Sequence, residues 1–191
     1  QEFYTHFFKY RSGVDDGPVV GCQKFDITPW DDAHTLHLKN LLSMIRLCEK
    51  HIPKIIDGTC IYTEQPSEGA SYYPKRAAED GIIIWPDTTQ QIHDLVRAVT
   101  RPFPGAFTFL GEKEERKIII WELIPFDSQL RWDHLEPGTI IDIFYDGSFV
   151  AKTGSTSVLV KKYDGNVTRD DVGRKFSNGK YQQKIWENLP K

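Results

Sequence analysis

The chain has 191 residues, 39% of them hydrophobic and 27% charged, with a formal net charge of -3. That balance belongs to a folding globular chain rather than a disordered one, and it offers no bulk positive charge for non-specific attachment to nucleic acid or anionic lipid. The longest apolar runs, such as Ile82–Trp85, fall far short of the ~20 residues that a membrane-spanning helix needs, so no membrane contact is expected.

The chain opens on Gln1-Glu2 and passes at once into Phe3–Tyr10, an aromatic and β-branched run that predicts a strand. It has no charged leader and no small-residue cleavage site, so it does not read as a signal peptide. A chain that starts inside a strand is expected to have lost what preceded it. Arg11–Pro18, dense in Gly, Asp and Pro, predicts a loop, and Val19–Ile27 a second strand. Thr28-Pro29 followed by Asp31 and Asp32 reads as a helix start. Leu38, Leu41, Leu42, Ile45 and Cys48 then recur at helical spacing, to an end near Lys50 ahead of Pro53.

Residues 57–81 form a long connector punctuated by Gly and Pro. Thr88 and Gln91 make a capping box for a short amphipathic helix carrying Ile92, Leu95, Val96 and Val99, which Pro102 and Pro104 stop. From Ala106 the pattern is all β, with strands at Phe107–Leu110, Lys117–Leu123, Thr139–Tyr145, Phe149–Thr153 and Val158–Tyr163. Asp146-Gly147 is a hairpin turn, and Asp164-Gly165 ends another strand. Strands this short and this closely spaced predict a small Greek-key barrel of OB type. Trp85, Phe107 and Trp121 are expected in its core, and His6 is expected to pack on its alternating strand. The polar tail from Asn178 holds one possible helical turn around Ile185-Trp186. The three cysteines, Cys22, Cys48 and Cys60, form no CxxC pair and read as reduced thiols of a cytosolic protein, with no metal implied.

Several stretches are similar to one family. Gly13-Val14-Asp15-Asp16-Gly17-Pro18-Val19-Val20, preceded by Thr5-His6-Phe7, resembles the Asp-bearing loop between two strands in folate-dependent formyltransferases. Gln65–Arg76, Glu79–Trp85 and Val96–Phe107 then resemble the hinge and domain junction of methionyl-tRNA and sugar N-formyltransferases, and Pro137–Ile141 the first strand of their barrel. The resemblance covers almost the whole chain. It implies an α/β fold: residues 1–76 as the C-terminal part of a Rossmann-like catalytic domain plus linker, and 77–191 as a small OB-like β-barrel domain. The family's catalytic Asn and His, the His followed by Pro-Ser, lie upstream of the Asp loop. None of the six histidines, His6, His34, His37, His51, His93 and His134, stands in that setting. The N-terminal catalytic portion is therefore expected to be missing from this chain.

The chemistry that the resemblance implies is formyl transfer from 10-formyltetrahydrofolate to a primary amine. The attacking amine must lose a proton, and the carbonyl oxygen becomes an oxyanion. A His takes the proton, an Asn amide holds the oxyanion, and a carboxylate beside the His raises its pKa. The position matching that carboxylate is Asp15. Taken by itself, Asp-Asp-Gly-Pro is ordinary turn chemistry and asks no more of Asp15 than to stabilise its loop. Arg11, Ser12, Gly13 and Val14, with Asp15, match the loop that lies against the folate pterin, and a plain strand connection is the alternative. Tyr72, Tyr73, Lys75 and Arg76 either line the acceptor's path or form a solvated linker.

Two acceptor classes follow from the resemblance. A tRNA-binding barrel needs a basic face. Residues 131–191 hold ten Lys or Arg against eight Asp or Glu, a balance of +2 that gives weak support to such a face. A small amine on a nucleotide-linked sugar is the favoured acceptor, with tRNA the alternative. If the chain acts alone, a non-catalytic remnant or binding module remains open. The oligomeric state is not encoded in any pattern of the sequence.

Overall fold

The computed structural model describes residues 1–66, 68, 73, 75–111 and 116–181. They fall into two compact units, the first ending at Tyr73.

The first unit is a hairpin and a helix. Strand β1 (Glu2–Phe8) pairs antiparallel with β2 (Val19–Asp26), with Thr5 opposite Gln23 and His6 opposite Cys22. Helix α1 (Ala33–Ile56) packs against both strands. It starts later than the sequence predicts. Thr28 does not cap it; the Thr28 N–H and hydroxyl both donate to Asp31, folding residues 28–31 into a turn. Asp32 is the cap instead, accepting from Thr35 N–H at 2.9 Å while the Thr35 hydroxyl accepts from Asp32 N–H. Pro53 does not end the helix, which runs one turn further until Asp57 N–H bonds to Pro53 O at 3.0 Å. Only one backbone bond is lost so close to the terminus, which limits the disruption. Of the predicted apolar stripe, Leu38, Leu41, Leu42 and Ile45 are each about half exposed, and it is Leu47 that is buried. His6 is likewise exposed rather than packed, because it alternates with buried Thr5 on a strand with one covered face.

The second unit is a curled six-stranded antiparallel sheet with a helix. A short 3-10 turn (Ala78–Gly81) leads to α2 (Thr89–Val99), capped by the predicted Thr88–Gln91 box. There follow β3 (Ala106–Leu110), β4 (Arg116–Asp127), β5 (Ile140–Ile143), β6 (Phe149–Lys152), β7 (Ser157–Asp164) and β8 (Phe176–Ser177). Their order in space is β5-β6-β7-β4-β3-β8. The meander β5-β6-β7 lies back against β4, which is the Greek-key arrangement. The outer strands meet: Ile140 N–H donates to Arg174 O at 2.9 Å, Gly173 N–H to Ile140 O at 2.9 Å and Phe176 N–H to Gly138 O at 3.0 Å. Alternate positions, among them Ile118, Ile120, Ile140, Phe149, Val158 and Val160, point inward to join Ile83, Ile92, Val96 and Phe176 in one core. Trp85 and Phe107 are buried as predicted. Trp121 is not: it lies half-buried at the surface, its indole N–H on Asp164 at 2.9 Å and the Arg101 guanidinium over its ring.

Candidate functional site

The loop between β1 and β2 closes through a single neck bond, from Lys9 N–H to Pro18 O at 3.0 Å. Close approach of backbone requires glycine at Gly17, whereas at Gly13 a side chain would displace only the exposed Asp16 carboxylate. A Cβ on Gly17 would stand 1.6 Å from Lys9 O, and one on Gly13 would stand 2.1 Å from a carboxylate oxygen of Asp16. Asp15 sits in the left-handed region at φ 54, a conformation that Asp tolerates better than most residues. Arg11, Ser12, Gly13, Val14, Asp15 and Asp16 are all exposed, whereas Gly17 and Pro18 are buried.

A second segment braces the loop. Thr63 exchanges both backbone bonds with Val19, at 2.7 and 2.9 Å. Next to it, Glu64 pairs with Arg11 at 2.6 Å. The side-chain amide of Gln65 then donates twice, to Asp15 O at 2.8 Å and to Gly17 O at 2.7 Å.

Asp15 and Gln65 both line a recess of about 650 Å³ that runs along β1 and is walled on the helix side by Asn40, Met44, Leu47 and Cys48. Its walls are mostly apolar, with a few polar groups among them, as in sites that hold a flat organic ligand. At the back, the buried Thr5 hydroxyl donates to Asn40 Oδ1 at 2.7 Å. The sequence singled out Asp15, but not Gln65, Asn40 or Thr5. Their roles rest on contacts 35 to 50 residues apart, which leave no local signal.

Of the other predicted residues, none of Arg11, Ser12, Gly13, Val14 and Tyr73 is among the described lining of the recess. Tyr73, Lys75 and Arg76 are exposed, and Arg76 donates to Asp80 O at 3.3 Å. Tyr72 lies outside the described residues. Among the described residues no group of His, Cys, Asp and Glu is arranged to hold a metal ion, and no helix is long and apolar enough to cross a membrane.

Residues 75–170 match the family model described as formyl transferase, C-terminal domain. Among solved structures, HypX from Aquifex aeolicus in complex with tetrahydrofolic acid is similar over 82% of this chain and 26% of its own, with a TM-score of 0.63 and 16% identity. An N-formyltransferase from Helicobacter canadensis, in complex with folinic acid and dTDP-3-aminofucose, is similar over 84% of this chain and 56% of its own, with a TM-score of 0.59 and 18% identity. Methionyl-tRNA formyltransferase from Clostridium thermocellum is similar over 65% of this chain and 52% of its own, with a TM-score of 0.52 and 17% identity. At these identities the likeness is one of fold, and the chain spans between about a quarter and about half of each of these proteins. The family model covers half of the chain, and the chain belongs to the formyl transferase family, whose C-terminal domain it carries over residues 75–170.

Proposed function

We propose that the protein carrying this chain moves a formyl group from 10-formyltetrahydrofolate to the primary amine of a nucleotide-linked sugar. The observation that carries this reading is Asp15, braced in a left-handed conformation at the mouth of a largely apolar recess. In the transfer, the amine nitrogen bonds to the formyl carbon, the bond from that carbon to the donor nitrogen breaks, and the amine proton passes through a base to the departing donor nitrogen, which leaves as tetrahydrofolate. Residues 1–76 contribute the last part of a Rossmann-like catalytic domain, and 77–191 an OB-like barrel. The Asn and the His base come from outside these residues. Asp15 sets the pKa of that His: a carboxylate beside an imidazole favours its protonated form. The backbone of Arg11–Val14 lies against the flat face of the folate, with Tyr72, Tyr73, Lys75 and Arg76 on the side of the acceptor. The site is a cytoplasmic one.

The small acceptor is favoured by how the barrel spends its cations. Lys161 and Lys162 both pair with Glu122, Arg174 pairs with Asp171, and Lys175 with Glu136. Each of these cations has a carboxylate beside it, so its charge is offset locally rather than pooled into one basic face. The test is formyl transfer by the full-length protein, offering nucleotide-linked amino sugars and charged initiator tRNA in parallel. Turnover of a sugar alone supports the reading. Turnover of tRNA alone overturns the acceptor but keeps the chemistry. Absence of folate binding overturns the enzyme and leaves a binding module built on the barrel.

A further inference from the structure

We propose that Gln65 is the positioning residue of the Asp15 loop: its amide, by holding Asp15 O and Gly17 O together, fixes the backbone from which the Asp15 carboxylate is presented to the recess. The inference rests on the reading of Asp15 given above.

Above the Lys9–Pro18 neck, the bonds that reach the backbone of the loop among the described residues come from Gln65. Asp15 in the left-handed region and Gly17 two residues on turn their carbonyls toward one nitrogen, and that nitrogen carries two hydrogens, one for each. The amide is delivered from a fixed base. Thr63 is zipped to β2 through Val19, and Glu64 grips Arg11 at the far end of the loop. Among the described residues the loop has its neck bond and the two Gln65 bonds to keep a non-glycine residue at positive φ, a conformation that L-residues leave when unconstrained. Glutamine is required chemically: glutamate has the same shape but only acceptors, and would set a carboxylate against two carbonyl oxygens.

The test is a mutant cycle in the full-length protein: parent, Gln65→Glu, Asp15→Asn and the double variant. It reads kcat, acceptor KM, the pH profile of kcat/KM and the melting temperature. Gln65→Glu is expected to lower kcat by about tenfold or more while leaving acceptor KM within about twofold, since a misplaced group costs rate rather than binding. Gln65→Met, which displaces Asp15 without adding a charge, is expected to move the acid limb of the profile to lower pH, the direction expected of Asp15→Asn, which removes the charge that supports the His. The double variant is expected to be no worse than Asp15→Asn alone, because both changes remove one function. If Gln65→Glu lowers the melting temperature sharply, Gln65→Met, which lacks both donors and charge, is read in its place. A silent Gln65 variant beside a costly Asp15→Asn overturns the positioning role and leaves Asp15 standing. Costs that add in the double variant overturn it too. A silent Asp15→Asn overturns the reading of Asp15 itself, and this inference with it.

Discussion

Arg116 on β4 lays its guanidinium flat against the carboxylate of Asp171, 55 residues further on, with nitrogen–oxygen distances of 2.5 and 2.9 Å. Asp171 is almost fully buried, and it also accepts from Thr168 N–H at 2.9 Å and from Arg174 at 3.1 Å. These contacts pin the turn ahead of β8 to the long strand β4, beside the place where the sheet meets itself. The Arg116 hydrogen bonds hold the Asp171 carboxyl far below the usual carboxylate range, against the opposing effect of its burial. Removing one partner of a buried pair strands the other, at a cost of about 3 to 5 kcal/mol. Asp171→Ala is therefore expected to cost the second unit a few kcal/mol in chemical denaturation, and Arg116→Met nearly as much. The sign of the pH effect follows from the depressed folded value. The stabilisation is complete above the unfolded pKa of about 3.9 and is lost as pH falls below it toward the folded value. Acid unfolding of the parent that matches Asp171→Ala between pH 5 and pH 2 (roughly the window set by those two values) would sink this account.

Thr108 carries a side-chain hydrogen-bonded link between the core indole and the last strand, beside the stacking of Trp85 on Phe176. Its hydroxyl accepts from Trp85 Nε1–H at 2.9 Å and donates to Ser177 O at 2.9 Å. Thr108→Val keeps the volume but leaves the buried Trp85 N–H unpaired, at a cost of about 1 to 3 kcal/mol, and takes one donor from the part-buried Ser177 carbonyl. Denaturation of the Val variant, followed by tryptophan fluorescence, is expected to show an earlier midpoint. An unchanged midpoint would mean that the indole finds another partner.

His93 sits on α2 with Nδ1 buried and no hydrogen-bond partner for that atom among the described residues. Burial pushes its pKa down, Arg97 pushes the same way, and Asp94 partly opposes them. The folded protein therefore favours the neutral ring. The second unit is expected to keep its full stability above the unfolded pKa of about 6.5 and to lose some of it as pH falls from there toward the lower folded value. His93→Leu is expected to flatten the melting temperature between pH 7 and pH 5 (a span set by that reference value), while a variant that keeps the parent's slope would place the effect elsewhere.

What the sequence revealed and what it hid divide along one physical line. The Thr88–Gln91 box and the strands β3, β6 and β7 were legible because capping, β-branched and aromatic runs and the turns between them are local properties. The end of β4 was not. The predicted strand ends at Leu123, yet β4 continues to Asp127 through its pairing with β7, while β3 pairs with it only from Arg116 to Ile120. On that side Pro125 meets no ladder to disrupt, which is where a strand tolerates proline. The two-residue β8 left no pattern at all, since its place is set by Phe109 and Leu110 opposite it. In the first unit, Asp15 was picked out only through the resemblance of its loop to the Asp-bearing loop of the family, its neighbours alone reading as a turn. Gln65 was not, because its part is played across 48 and 50 residues.

Gly17 offers the sharpest test of the loop. It is buried, its hydrogen-bonding oxygen faces Gln65, and a Cβ would fall 1.6 Å from Lys9 O. No side-chain rotation relieves that clash, because both partners are backbone. Gly17→Ala must therefore break either the Lys9–Pro18 neck or the Gln65 bonds, and both routes displace Asp15. Gly17 is buried and the obstacle is backbone, so the melting temperature is expected to fall as well, by an amount corresponding to about 1 to 3 kcal/mol. The rate of formyl transfer by the full-length protein is expected to fall by about a hundredfold, the scale on which an ångström of misplacement acts at a reacting centre. An additive comparison comes from Asp16→Ala, which empties the contact with Gly13 but leaves Asp15 and both Gln65 bonds in place, and is expected to change the rate by less than about threefold. Equal losses in the Gly17 and Asp16 variants would mean that the loop acts through its bulk shape, and not through the placement of Asp15.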